Sequence, residues 1–324
     1  MDEARLVQLA SELISIPSFS GREHRASDWV EARLRAMNCP NVARLKVDDA
    51  ADTIVGRWEG AQDRDGLLLS LHIDIEEISP EWKADPLQAR REGGRLYGAG
   101  SHDMKAGAAG LLGALEAFAR ERQAMRAPLV VAATTDEMRW SRGAHAVLRS
   151  SIARGCRYAL VGEPSPESTF HDGARGRHLL ILPFVPETES RLRSSAKEGE
   201  RISIRREADT WVVNAYLLPG RSVQDLVRDA GVEPIRVDPR PTPAPPPYRL
   251  PPDSRIVRAL RSHVPKTSLA QNVSDANHYF AGGLEPVLFG PTGGDTDRGD
   301  EYLEIGSLVE VSGIYLAVIR AMTL

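Results

Sequence analysis

Residues 67–118 constrain this chain more than any other stretch. Residues 66–71 form a short apolar run, as expected of a strand buried on both faces, and the run leads into His72 and Asp74. A polar loop follows, Trp82-Lys83-Ala84-Asp85-Pro86. Then comes a glycine-rich segment from Gly93 to Gly100, and Asp103-Met104-Lys105 opens a helix of small residues. An imidazole and a carboxylate at a strand end, with a second carboxylate at a helix start, are the beginning of a metal site.

The rest of the chain repeats the strand–helix alternation. Helices are expected over 4–16, ended by Pro17, and over 22–37. Strands are expected near 42–47, 53–58, 128–134 and 158–161, with a helix over 104–120. This order predicts an α/β fold with a mixed sheet flanked by helices. The pattern changes after Asp172. Strands at 178–184, 201–205 and 211–217 lie close together, followed by a short helix over 222–229 and a strand at 233–237. A proline run, Pro239 to Pro247, reads as a stiff extended connector. A helix at 253–263, a strand at 286–289 and a helix at 307–322 then resume the first pattern. The expected organisation is a discontinuous domain, residues 1–173 and 243–324, with a small α+β lid domain inserted at 174–242.

A chain of 324 residues can bury a large core. Its formal charge of −4 argues against a nucleic-acid partner. The charged N-terminus lacks an apolar signal core, and no apolar run approaches the roughly 20 residues that span a bilayer. Cys39 and Cys156 lie far apart in no metal motif. The expected setting is reducing and cytoplasmic, without a membrane.

Metal-assisted amide hydrolysis needs nitrogen and oxygen ligands, an open position and a carboxylate base. His72, Asp74, Asp103, Glu137 and Glu163 each fall just beyond an apolar strand or at a helix start, where α/β sites sit. Taken singly each has an ordinary structural reading, and Asp103 could simply cap a helix. Together they place much negative charge in one region, which is costly to bury without a cation.

These residues sit in segments that resemble the cocatalytic zinc aminoacylase/carboxypeptidase superfamily, which includes acetylornithine deacetylase, succinyl-diaminopimelate desuccinylase and carrier-protein lysine/ornithine hydrolases. The segments are SLHID, the WKADP loop, GGRLYGAGSHDMKAG, TTDEM, LVGEPS and FGPTGGDTDRGDEY. The resemblance implies a zinc-peptidase-like catalytic domain. It gives His72, Asp103 and Glu163 as ligands of one metal, with Asp103 bridging toward a second. It gives Asp74 as the carboxylate that orients His72, and Glu137 as the general base on metal-activated water. It also places Ser274 and Asn277 near the substrate. Zn2+ is the expected metal, and Co2+ or Mn2+ suit the same donors.

The second site departs from the pattern. Met138 stands where the family has a second glutamate, and Asp297 where it has a histidine. Asp297 is a candidate ligand there, and Asp295 and His102 are neighbouring candidates. The lid is short and lacks the family's His-Ser motif, so its dimerisation is open, although a homodimer is compatible. Asn214 and Tyr216 replace the family's Asp–X–Arg. Arginines 201, 205, 206 and 221 are candidates for holding a carboxylate.

The expected function is a metal-dependent amidohydrolase. Its substrate would be an N-acylated amino acid, or a γ-glutamyl link to an amino-group carrier protein. Two alternatives stay open: a homologue repurposed for acyl or aminoacyl transfer or amide formation, and a non-catalytic binding homologue.

Overall fold

The computed structural model describes residues 1–121, 123–296 and 299–324. Its centre is a mixed nine-stranded sheet. Across most of that sheet the strand order is Asn41–Leu45, Thr53–Trp58, Leu129–Thr134, Gly66–His72, Cys156–Val161, Glu285–Leu288, Thr169–Ala174 and Tyr248–Arg249. Lys266–Ala270 pairs in parallel with Thr169–Ala174. Three neighbours matter most. Gly66–His72 runs parallel to Leu129–Thr134 on one side and to Cys156–Val161 on the other. Leu67, Leu68, Leu69, Leu129, Val130 and Leu160 are wholly buried, as expected of parallel strands covered on both faces.

The Ala106–Glu121 helix covers one face. Its small residues let it lie very close to the sheet. A Cβ added at Gly107 would sit 1.8 Å from the Gly162 carbonyl oxygen, on backbone that cannot swing aside. The closing helix, Ile305–Thr323, packs along it. That helix is 19 residues long and apolar enough, by length and composition alone, to cross a membrane. This corrects the expectation that no apolar run nears that length. Its Leu308, Val311, Tyr315, Val318 and Ile319 are buried in the main core, as in a core helix.

A second, separate core belongs to the insert. Gly176–Pro183, Arg201–Glu207 and Thr210–Leu217 form an antiparallel sheet, with Thr188–Ser195 and Val223–Ala230 as its helices. Leu180, Leu182, Leu192, Val213, Leu217 and Leu226 fill it. The strand expected at 233–237 shrinks to Arg236–Val237, preceded by Pro234, which has no N–H to give a ladder.

A small third sheet was not expected. It joins Gly293–Gly294, Tyr302–Glu304, Arg95–Tyr97 and Arg90–Glu92. It draws the glycine-rich segment against the segment near residue 300, far away in sequence.

Replacing Gly107 with alanine should cost about 3 kcal/mol or more, at the upper end of overpacking penalties, because backbone opposes backbone. Denaturant midpoints measure this, and a loss below about 1 kcal/mol would contradict the close seating of the helix.

Candidate metal centre

Parallel strands end together, and adjacent strands lie about 4.8 Å apart. Three chemically useful side chains therefore emerge side by side at the carboxyl ends of three neighbouring strands. His72 is the last residue of the central one. Glu137 follows Leu129–Thr134 by a short turn, and Glu163 follows Cys156–Val161. One ligand atom from each of the three lies within 4.8 Å of the others. His72 Nε2 is 4.0 Å from Glu137 Oε2 and 3.8 Å from Glu163 Oε1. Asp103 joins them, with Oδ1 3.0 Å from the same nitrogen.

The tautomer of His72 follows from its other side. Nδ1 lies 3.1 Å from the Asp74 carbonyl oxygen, which can only accept, so Nδ1 carries the hydrogen and donates it. This turns Nε2 toward the carboxylates. The Asp74 carboxylate stands 3.5 Å from Nδ1 and is fully buried. It accepts from Ser20 Oγ at 2.7 Å and from the Glu137 and Met138 backbone N–H groups at 3.2 and 3.0 Å. Asp74 thus fixes the turn that carries Glu137 as well as lying against His72.

Asp103 is no helix cap, since the α-helix starts three residues later at Ala106. It sits in a non-helical turn held by Glu301. Glu301 is 2% exposed, and its carboxylate accepts from the backbone N–H groups of Gly100, His102 and Asp103 at 2.9, 2.8 and 3.0 Å. Glu301 was missed as a site residue. Its part depends on the third sheet, for which the sequence carries no local periodic signal. Burial against these donors leaves its carboxyl pushed up to about 7. Below the turn, Lys105 donates to the Ile16 carbonyl oxygen, and burial pushes its amine down to about 7.

The electrostatics show a donor set with surplus negative charge. Burial, then the charge of Asp103, pushes Glu163 up to about 8. Burial raises Glu137 well above the usual range despite the attraction of His72, and Glu163 adds to the rise. Burial would lower His72, but hydrogen bonds to Asp103 and Asp74 outweigh it and hold the imidazolium well above its ordinary value. One imidazole and a group of carboxylates is a fitting donor set for zinc and similar divalent ions. A cation would offset the repulsion that these shifts express.

The other expected residues are dispersed. Met138, where the resemblance leads one to expect a second carboxylate, gives its N–H to Asp74 and lines the cavity around Asp103, Glu137 and Glu163. Asp297 lies outside the described residues. Asp295 is exposed in a left-handed turn and does not line the cavity. His102 lines the cavity, and its Nδ1 lies 2.7 Å from Thr296 Oγ1. Ser274 and Asn277 form a capping box at the start of Asp275–Ala281. Asn277 instead spends its amide on the two chain crossings between the main sheet and the insert, donating to the Arg175 and Pro246 carbonyl oxygens at 2.8 Å each. Ser274 remains on the wall of a cavity of about 680 Å³ that contains Asp103, Glu137 and Glu163. The arginines considered for a carboxylate differ from one another. Arg221 is buried in ion pairs with Glu200 and Asp229, Arg205 and Arg206 are exposed, and Arg201 stacks on Tyr216.

Because the folded state raises the Glu163 pKa from 4.5 to about 8, it holds that proton where the unfolded chain has lost it. The contribution of Glu163 to stability is therefore greatest below about pH 4.5 and is lost as the pH rises toward 8. In chelator, thermal melts of the parent should fall relative to those of Glu163→Gln between about pH 5 and 8. A difference that stays flat or grows would refute the burial of this carboxylate. Glu301→Ala should weaken zinc binding about 10- to 100-fold by freeing the Asp103 turn, as measured by chelator competition. Unchanged affinity would show that the turn holds itself.

The sequence profile of Peptidase family M20/M25/M40 matches residues 68–321. The chain is 30% identical over 181 residues to a succinyl-diaminopimelate desuccinylase of Cupriavidus pinatubonensis, a match covering 52% of this chain and 47% of that protein. The desuccinylase of Buchnera aphidicola is 30% identical over 180 residues, covering 53% and 47%. The chain thus spans about half the length of the curated relatives it matches. Among solved structures, a tripeptidase of Staphylococcus aureus superposes with a TM-score of 0.76 at 17% identity, covering 99% of each chain. Human carnosine dipeptidase 1 gives 0.73 at 13% identity, covering 99% of this chain and 97% of that one. These likenesses show the fold.

Proposed function

The chain belongs to peptidase family M20/M25/M40, and from that premise we propose that it is a metal-dependent amidohydrolase cleaving the amide of an N-acylated amino acid or small peptide. The observation that carries this reading is the convergence of His72, Glu137 and Glu163, with Asp103, at one end of three adjacent strands. The names of its relatives, desuccinylase and peptidase, support the same class of substrate.

His72, Asp103 and Glu163 would hold a zinc ion, and such an ion supplies Lewis acidity, polarising an amide carbonyl and acidifying water. The protein's own groups do the rest. Asp74 keeps the hydrogen of His72 on Nδ1 and leaves Nε2 as the donor atom. Glu137 takes a proton from the attacking water and passes it to the departing amine nitrogen. Its backbone N–H is tied to Asp74, so the base and the imidazole are set by one buried carboxylate. Glu301 holds the Asp103 turn in place from behind.

The second metal is weak or absent in this reading. Met138 offers sulfur, a soft and neutral donor that replaces carboxylate poorly on zinc.

Glu137→Gln should lower kcat by at least 100-fold while zinc stays bound, because the amide keeps the shape but cannot accept the proton. The assay pairs release of free acid from N-acyl amino acids with metal content after gel filtration. Retained turnover would remove Glu137 as the base, and loss of zinc would make it a ligand. A stoichiometry near two tightly bound ions would overturn the single-metal reading.

A further inference from the structure

The turn that carries Glu137 runs from Asp136 to Ser141, and its own sequence does not favour it. Both end residues are left-handed, at φ 63° and 52°, a conformation that residues other than glycine rarely adopt. The turn is held by ties to other segments. At its start, the Asp136 N–H donates to Glu23 Oε1 at 3.0 Å, and the Glu137 and Met138 N–H groups donate to Asp74. At its close, the Trp140 and Ser141 N–H groups both donate to the Asp136 carbonyl oxygen, at 3.0 and 2.7 Å. The Trp140 carbonyl oxygen takes no part in this closure. It accepts from Thr242 Oγ1 at 2.7 Å, and among the described residues nothing else donates to it.

Thr242 belongs to the proline-rich connector by which the chain leaves the insert. It stands between Pro241 and Pro243. Each proline fixes its own φ, and Pro243 also confines Thr242 to extended backbone, so the hydroxyl is presented from a stiff support. Four residues on, Asn277 holds the same connector at Pro246. Thr242 and the five consecutive residues 137–141 line one cavity, so the Thr242–Trp140 bond joins its two walls.

We propose that Thr242 is a positioning residue: through the Trp140 carbonyl, the connector leaving the insert holds the turn that places Glu137. The proposal rests on the amidohydrolase reading for the proton transfer that Glu137 performs, but not for the coupling of connector to turn. Tied only at its start, the turn is free to rock about the Glu23 and Asp74 bonds. A second tie at Trp140, three residues beyond Glu137, removes that freedom. A general base is sensitive to such movement, because proton transfer requires heavy atoms within about 2.6–3.2 Å.

The test uses the full chain loaded with zinc. Thr242→Val removes the hydroxyl and keeps the β-branched shape, and Thr242→Ser restores the hydroxyl. Hydrogen exchange read by mass spectrometry should show peptides over 136–141 exchanging about fivefold faster in Thr242→Val and near the parent rate in Thr242→Ser, with peptides over 66–72 unchanged in both. Asn272→Ala removes a different bond from the insert, Arg201 Nη2 to Asn272 Oδ1 at 3.1 Å, and should leave exchange at 136–141 as it is. In turnover of N-acyl amino acids, Thr242→Val should lower kcat about five- to tenfold with KM within about twofold and zinc content unchanged, and Thr242→Ser should recover most of the loss. The proposal is overturned if exchange at 136–141 ignores Thr242→Val, or if Asn272→Ala speeds it equally, which would make the insert as a whole the support. A rise in KM with kcat unchanged also overturns it, since Thr242 would then be touching substrate. If exchange responds as expected but the unsubstituted protein hydrolyses no acyl amino acid or peptide, the coupling stands and the hydrolase reading fails.

Discussion

The arrangement depends on carboxylates held out of water around a single imidazole. Asp74 is wholly buried, Glu163 and Glu137 nearly so, and Asp103 lies 3.0 Å from His72 Nε2. Isolated, such charges are expensive to desolvate. Fixed dipoles and a countercharge make the arrangement tenable. Backbone N–H groups from 137 and 138 point at Asp74, and those from 100, 102 and 103 point at Glu301. The remaining imbalance appears as raised carboxyl pKa values at Glu137 and Glu163 and a raised imidazole at His72. A divalent cation would offset that imbalance directly, and this is the physical link between the fold and the metal-dependent activity proposed for it.

The geometry of the sheet explains why so few residues suffice. With Gly66–His72 between two parallel partners, the three strand ends share one plane, and side chains just past them converge without a long loop. The small-residue helix then closes the floor, since Gly107 lies against Gly162 next to Glu163. Groups mounted on strand ends inherit the rigidity of the core, which is what the proposed base and ligands need in order to keep their spacing.

The parts of this site that follow from local pattern were legible in the sequence. Buried runs gave the strands, and His72, Glu137 and Glu163 could be placed at their ends because strand termini are marked by a change from apolar to polar. The glycine-rich segment announced a turn, but not that the turn would be clamped by Glu301 about two hundred residues later, because that contact requires Arg95–Tyr97 to pair with Tyr302–Glu304. Asn277 was misplaced for a similar reason. A Ser–X–X–Asn capping box is visible in sequence, whereas its amide reaching two hinge carbonyls is a property of the folded crossings. The closing helix was underestimated as an apolar run because Glu310 interrupts its hydropathy, although its buried face is continuous.

The insert is tied to the sheet that carries the site. Its core is small and separate, yet Asn277 ties the strand entering it, at Arg175, to the segment leaving it, at Pro246. The tie fixes where the first lid strand begins, and Arg177 lies two residues beyond Arg175 on that strand. Asn214 stands where the resemblance leads one to expect an aspartate. Asn214 accepts from Arg177 without neutralising it, where an aspartate would pair with it and cancel its charge. A neutral acceptor at this position therefore leaves a positive charge on the wall of the same cavity that holds Asp103, Glu137 and Glu163.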